Sequence, residues 1–505
     1  MNFVKRQIHH CAKSFLTAFV CGAAVVMVSC QQLDESAAAQ SKEAPLALTW
    51  TAVQYTDSPP SDVVLEHIEE ATGTKLSIIW VADAMKEDKL NIALASDALT
   101  KIVTIQDIRN SAFLSAVRAG AFWEIGPYLS QFSNLHAMDK TILQNTSIDN
   151  KIYGIYRERD LSRQGIIYRK DWLDQLKLEA PTDLESLYKM MEAFTKNDPD
   201  GNGINDTYGL TDRNDLKFGA FQTLASYFGA PNDWGWMGGE LRPAFMFSAY
   251  KDTMKFMREL YEGKLMNEQF AVTSKQQQWE EFTKGRAGVY IGNMDDGRNL
   301  YKSLIQSNPK AEIDLVNRIN GPDGKPHVWS QAGHNGIFVF PKSQVKTEAE
   351  LLRILEFFNR LADPELIYML NYGVEGIHYK LENGDMVELL SNESERWEQE
   401  VRPLISLMGV RALAIRPQGD PLREKSDRLT EDNRSFLVVN PAASLDSPTA
   451  NERGGELNII IQNATNSFIL GLLDEQGFDK EVERWKQLGG DQIIQEINAG
   501  YAGRL

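Results

Sequence analysis

All three cysteines of this 505-residue chain, Cys11, Cys21 and Cys30, fall in its first thirty positions. The residues that follow must therefore fold with no disulfide to restrain the unfolded chain, and stability has to come from a buried apolar core. Composition permits one: 43% of residues are apolar and 10% aromatic, the balance of a globular chain and not of a disordered one. A single core seldom organises a chain of this length, so two lobes are expected.

The cysteines also sit in an ordered series of features. Lys5, Arg6 and Lys13 form a basic leader without acidic residues, followed by an apolar run from Phe15 to Val28 broken by Thr17 and Gly22. That run is short for a bilayer span and suits a signal-peptide core. It ends in Met27-Val28-Ser29-Cys30, which resembles a bacterial lipobox. Residues 1–29 are thus expected to be a cleaved signal peptide, Cys30 a diacylated anchor to the membrane, and 30–45 a tether of Gln, Ser, Ala and acidic residues. Setting aside the three basic residues of the leader leaves 50 Lys and Arg against 70 Asp and Glu, a net of about −20. A field of that sign disfavours nucleic acid and anionic headgroups as partners.

Downstream, strand and helix patterns alternate. Leu46 to Tyr55 alternates apolar and polar positions as a strand does, and Ser61 can cap a helix whose Val64, Leu65, Ile68 and Thr72 share a face before Gly73. Leu76–Val81 and Ile102–Ile105 read as strands around a helix from Asp88 to Leu94. A second unit opens at Gly165, with helices from Arg169 and Leu184 and an amphipathic one from Tyr250 to Leu265. Gly336–Pro341 is a strand, Glu348–Leu361 a helix, and Glu481–Ile497 a helix broken at Gly489-Gly490. The alternation argues an α/β architecture with mainly parallel sheets.

The sharpest internal motif is DPDGNGINDT, Asp198 to Thr207. Oxygen-bearing side chains stand at positions one, three, five and nine, with Gly at six, as in the first part of an EF-hand calcium loop. Asp198, Asp200, Asn202 and Asp206 would supply four oxygens and the Ile204 carbonyl a fifth. Position twelve is Gly209 where an EF-hand has Glu, so Thr207, water or a distant carboxylate has to complete the shell of a structural calcium ion.

Taken with its surroundings, this loop carries a family resemblance. Tyr168-Arg169-Lys170-Asp171-Trp172-Leu173, then Pro181-Thr182, then the loop closing on Asp206-Thr207-Tyr208-Gly209-Leu210, resembles the extracellular solute-binding lipoproteins of ABC importers. The likeness is to the long Gram-positive branch associated with oligosaccharide and polysaccharide uptake. Tyr250–Val272, Phe282–Gly292, Tyr372–Tyr379 and Trp485–Tyr501 agree with it in order. Alginate-binding proteins of that superfamily have a similar calcium loop, with a Glu ligand where this chain has Thr207. The resemblance implies a type II periplasmic-binding-protein-like fold: two hinged α/β lobes with the ligand cleft between them. Lobe 1 would be 46–160 plus 330–406, and lobe 2 161–329 plus 407–505 with the calcium loop at 198–209. It implies a monomer that captures an extracellular oligosaccharide and delivers it to the transmembrane subunits of an ABC permease.

Sugar sites combine flat aromatic rings with polar side chains that hold hydroxyls. Trp234 and Trp236, in the Gly-rich segment from Asn232 to Gly239, are candidates, and an extended backbone there is expected to turn one inward and one outward. Trp329 and Tyr55 are further aromatic candidates, with polar contacts from Arg157, Glu158 and Arg159 and from Asp295, Asp296 and Arg298. His334, before a strand, is a weaker candidate at the cleft floor. Enzyme signatures are sparse. The five histidines beyond the leader form no His-x-x-x-His pair, and there is no Gly-x-Ser-x-Gly elbow or phosphate-cradling Gly loop. A non-enzymatic binding protein is therefore the reading; a glycan-degrading lipoprotein using paired carboxylates, or a ligand sensor for a membrane kinase, are the alternatives.

Overall fold

β1 (Leu46–Gln54) realises the alternation of its sequence, with Leu48, Trp50 and Ala52 buried between more exposed neighbours. In the computed structural model, which describes residues 44–56, 58–382, 386–389, 394–410 and 420–502, β1 opens the first of two main sheets. The expected signal peptide, Cys30 and most of the tether lie outside the described residues. After β1 the helix Asp62–Thr72 buries Val64, Leu65 and Ile68, and Gly73 ends it by adopting φ +66°. β2 (Thr74–Ala82) and β3 (Ile102–Ile105) flank β1 in parallel, and β4 (Gly154–Glu158) completes the first pass.

The chain then crosses to a second sheet, beginning with β5 (Gln164–Arg169) and β6 (Tyr208–Thr211). The helix Leu184–Lys196 between them starts in a capping box of Asp183 and Ser186. A hairpin of β7 (Trp234–Met237) and β8 (Glu240–Pro243) precedes β9 (Ala287–Asn293) and β10 (Ile313–Val316). The second sheet has the order β10-β5-β9-β6. Through β11 (Val328–Trp329) the chain returns, and β12 (His334–Val339) inserts into the first sheet, whose order is β2-β1-β3-β12-β4.

Both sheets are mixed, which corrects the expectation of mainly parallel ones. β12 runs antiparallel to β3 and β4, and β5 antiparallel to β9 and β10. The reason is the crossing itself. A strand that arrives from the other sheet enters at the end where its neighbours leave, so it points the opposite way.

Each sheet has its own apolar core. Trp50 packs edge-on against Phe338 at 4.9 Å in the first, and its Nε1–H donates to Thr104 Oγ1 at 3.2 Å. Trp172 packs edge-on against Phe194 at 5.5 Å in the second, a cluster that also takes in the C-terminal Phe478, Val482 and Trp485. Truncating either tryptophan to alanine costs about 3–5 kcal/mol in cores of this kind. Leu407, Met408 and Val410 pack in the first core. The break expected at Gly489-Gly490 is a tightly bent turn between helices Glu475–Trp485 and Asp491–Ala502. Gly489 has φ +138°, and a side chain at Gly490 would strike the Trp485 ring.

Between the sheets, three stretches of backbone lie side by side. Arg159 N–H donates to Gly333 O at 2.8 Å, Gln331 N–H to Leu161 O at 2.6 Å, and Ser330 N–H to Val438 O at 3.0 Å. Two buried asparagines pin this ribbon. Asn232 Nδ2 donates to Ser330 O at 2.6 Å and Val438 O at 3.0 Å, and Asn433 Nδ2 to Ser162 O at 3.1 Å and Gln164 O at 2.9 Å. Among the described residues, no helix is long and apolar enough to cross a membrane.

Candidate functional site

The strands of the first sheet end in a polar cluster beside the ribbon. Tyr55 follows β1, Gln106 follows β3, Arg157 is the last residue but one of β4, and His334 and Asn335 open β12. Tyr55 Oη donates to Gln106 Oε1 at 3.1 Å and accepts from Arg157 Nη1 at 3.2 Å and Asn335 Nδ2 at 3.3 Å. Arg157 is 1% exposed; its guanidinium lies 5.7 Å from the Tyr55 ring centre and also donates to Asn335 O at 2.9 Å. Arg157 thus works through Tyr55, holding a phenol ring that is itself 44% exposed. His334 accepts from Gly336 N–H through Nδ1 at 3.2 Å, which assigns its proton to Nε2. Burial, reinforced by the nearby Arg109 charge, pushes its pKa down to about 4 and keeps it neutral.

Two cavities on the side of the second sheet take in candidate residues of the cleft. One, of about 580 Å³, is lined by Arg159 and Arg163 of the first crossing, Asp295 and Arg298 after β9, and Arg423 and Ser426 of the helix Pro421–Asn433. Arg163 Nη1 meets Asp295 Oδ2 at 2.7 Å, and Arg298 Nε meets Asp420 Oδ2 at 3.0 Å. Ser426 is buried with its hydroxyl unpartnered among the described residues. Charged forks of this kind bind hydroxyls and carboxylates. Asp295, Arg298 and Arg159, read from distant parts of the sequence, therefore meet in one place. Asp296 turns away, accepting from Tyr290 Oη at 2.9 Å and pairing with Lys275 at 3.3 Å.

The other cavity, of about 610 Å³, lies at the opposite edge of the ribbon and is lined by Trp234, Lys217, Asp233, Phe245, Asn440 and Trp485 among others. Lys217 and Asp233 pair across 3.1 Å. Trp234 lines this cavity and Trp236 is exposed, but they do not point to opposite faces. Residues two apart share a face of a strand; on that face Trp234 is partly covered by the second core, while Trp236 lies nearer the hairpin turn and keeps half its surface open. Trp329 is corrected from a ligand candidate to a core residue: it is 1% exposed, its Nε1–H donates to Thr223 Oγ1 at 3.0 Å, and Phe218 covers it at 5.9 Å.

The loop from Asp198 to Thr207 gathers its carboxylates around one amide. Asn202 Nδ2 donates to Asp200 Oδ2 at 2.9 Å and Asp206 Oδ1 at 3.3 Å, while Asn202 N–H and Gly203 N–H donate to Asp198 at 3.1 and 2.9 Å. Partial burial, with a hydrogen bond to Asp198, raises the Asp200 pKa. Thr207 leaves the expected ligand set, because its hydroxyl is turned inward to donate to Phe194 O at 2.9 Å. Ile204 stays in the loop with its side chain exposed. Among the described residues, no group of three or more acidic, His or Cys side chains stands ready to hold a metal ion.

Sequence patterns give little signal for Gln106, Asn335, Arg163, Arg423 and Ser426. Two of them directly follow or open a strand end, which is the one cue available.

Residues 55–365 match the sequence model of the bacterial extracellular solute-binding proteins. The chain belongs to that family. It is 48% identical over 479 residues to the polygalacturonan/rhamnogalacturonan-binding protein YtcQ of Bacillus subtilis (strain 168), spanning 94% of this chain and 96% of that protein. Lipoprotein LipO of the same organism is 34% identical over 488 residues, 95% of this chain and 96% of its own length. In solved structures, the Streptococcus pneumoniae ABC-transporter substrate-binding protein FusA in complex with kestose superposes with a TM-score of 0.63 at 17% identity, over 91% of this chain and 99% of FusA. An EF-hand mutant of FusA in complex with fructo-nystose fits with the same TM-score, identity and coverage. These likenesses carry the fold, which is the two-lobed, type II periplasmic-binding-protein-like one.

One buried acid at the site sets a pH dependence. Asp212, directly after β6, accepts from Ala220 N–H at 2.9 Å and so caps the helix that presents Thr223 to Gln164 and Trp329. Burial raises its pKa to about 6. The folded chain then holds an extra proton between the unfolded value and about 6, so this group's contribution to stability is lost as pH rises through that window. Asp212→Asn is expected to gain on the parent by on the order of 2–3 kcal/mol between pH 4 and pH 7. Denaturant melts of both proteins across that range check it, since the opposite slope from His334 cancels in the difference. A constant difference would remove Asp212 as the source.

Proposed function

We propose that this protein captures an extracellular acidic oligosaccharide of the galacturonate type and presents it to an ABC permease without altering it. The observation that carries the reading is the cavity in which Arg159, Arg163, Arg298 and Arg423 outnumber Asp160, Asp295 and Asp427, in a chain 48% identical to a polygalacturonan/rhamnogalacturonan-binding protein. Arginine forks match carboxylates in a bidentate way, and Tyr55 and Trp234 offer rings for the C–H faces of the sugar. A ligand that touches both lobes at once favours their closed arrangement, and that arrangement is what a permease reads. Family and relatives are binding proteins, which supports a role without catalysis.

Titration calorimetry with galacturonate oligomers and neutral oligosaccharides of equal length tests this. Arg298→Ala is expected to lower galacturonate affinity by about 1.5–3 kcal/mol while leaving the melting temperature unchanged. Equal binding of neutral and acidic sugars by the parent would sink the acidic assignment.

The same reading includes a structural calcium ion at Asp198, Asp200, Asn202, Asp206 and the Ile204 carbonyl, with the remaining positions left to water. Its support is the meeting of the Asp200 and Asp206 carboxylates on the Asn202 side chain and the raised Asp200 pKa, both of which a dication relieves. Calcium at one hundred times its dissociation constant should stabilise the protein by about 2.7 kcal/mol, an effect absent from a D198A/D200A double variant. Identical melts of the parent in calcium and in chelator would leave the loop as a turn only.

Lipid attachment at Cys30 is supported by the lipobox and by the lipoprotein relative. Cys30→Ala should abolish labelling by a palmitate analogue in the producing cell; labelling that persists would place the anchor elsewhere. A monomer at the membrane surface completes the reading.

A further inference from the structure

The hairpin β7–β8 carries an indole that neither cavity encloses. Trp236 is 50% exposed, whereas its cross-strand partner Leu241 is fully buried. We propose that Trp236 is an outer stacking platform, taking a pyranose ring of the oligosaccharide that continues beyond the Trp234 cavity; this rests on the sugar-binding reading above.

Trp234 and Trp236 share a face of β7, about 7 Å apart along the strand. That places the exposed ring one step outward from the cavity-lining one, in register for a chain emerging along the same face. The charged residues of the hairpin, Glu240 and Arg242, pair with each other and stand in register with Met237 and Gly235, on the other face. The Trp face is left uncharged.

The platform is also held rigid. Gly238 and Gly239 turn the hairpin with φ +63° and +88°, the two positive values a tight twisted turn needs. Asn498 of the C-terminal helix clamps Leu241 by both backbone groups, accepting from its N–H at 2.8 Å and donating to its carbonyl at 3.0 Å. Tyr501 of the same helix meets the Trp236 ring with the two planes near perpendicular and centroids 4.9 Å apart, which fixes the indole. A pre-set ring loses little conformational freedom when a ligand arrives, so its contact area converts efficiently to affinity.

The experiment is a chain-length series. Calorimetry measures binding of galacturonate oligomers from three to eight units to the parent, Trp236→Ala and Trp236→Tyr. Parent affinity is expected to keep rising past the length that fills the cavity. Trp236→Ala should remove that rise, losing about tenfold on the longest oligomers while staying within about twofold on the shortest, and Trp236→Tyr should restore most of it. Unchanged length dependence in Trp236→Ala overturns the platform and leaves the cleft reading standing. So does an unchanged sugar profile with lost uptake in cells, which would assign Trp236 to permease docking. Absence of binding by the parent at every length, in these and in neutral oligomers, overturns the sugar reading itself and this inference with it.

Discussion

Where the chain passes between the two sheets, its peptide groups belong to neither ladder and still have to be hydrogen-bonded, because the ribbon they form is buried. The side-chain amides of Asn232 and Asn433 meet that need, each donating to two backbone carbonyls of the ribbon. Much else follows from the ribbon. It decides that β5 and β12 enter their sheets against the direction of their neighbours. It places Arg159 and Arg163 at one edge, in the arginine-lined cavity, and brings Asp233 and Asn440 to the other edge, beside Trp234. An amide suits this position, since it carries two donors and no charge, and so can satisfy two strands without burying an ion.

The electrostatics run on two length scales. A chain with a formal net charge of −17 repels anions at a distance, yet the cavity beside the first crossing sets four guanidinium groups against three aspartates. At physiological salt, charges beyond about 8 Å are largely screened, so the local set decides what binds there. The arginines are not idle in the meantime. Arg163 and Arg298 hold Asp295 and Asp420, and these pairs keep the forks oriented. An incoming carboxylate competes with the aspartates for that geometry, which favours ligands with well-placed acid groups over a merely anionic surface.

Local pattern made most elements legible. β3 and the helix Glu348–Leu361 have the limits read from the sequence, because strong burial patterns are bounded there by clear turn or cap residues. Gly73 and Gly489 mark breaks for the same backbone reason in sequence and structure, a positive φ. Sheet direction was not legible, since it depends on which end of a sheet the chain re-enters, and no local spacing encodes that. The site was legible in half. Asp295, Arg298 and Arg159 stand at strand ends that the fold brings together, while Gln106, Asn335 and Ser426 acquire meaning only from neighbours 50 to 280 positions away in the chain, as the Tyr55–Gln106 and Tyr55–Asn335 contacts illustrate at separations of 51 and 280.

Aromatic residues show why composition alone misleads about a ligand site. Trp329 looked available because it precedes a crossing, and the crossing is where the ribbon is buried most deeply. Its indole N–H, which a sugar hydroxyl would need, is already donated to Thr223, and the same Thr223 hydroxyl donates onward to Gln164 Oε1 at 3.2 Å. Removing Trp329 would therefore strip a partner from a buried hydroxyl at the base of the crossing, a structural fault and not a loss of ligand contact. Tyr55 is the reverse case. Its hydroxyl is tied on three sides by Gln106, Arg157 and Asn335 while its ring stays open, so the polar end is spent on orientation and the apolar face remains for a partner. The difference between a core aromatic and a binding aromatic lies in which part of the ring the protein has already used.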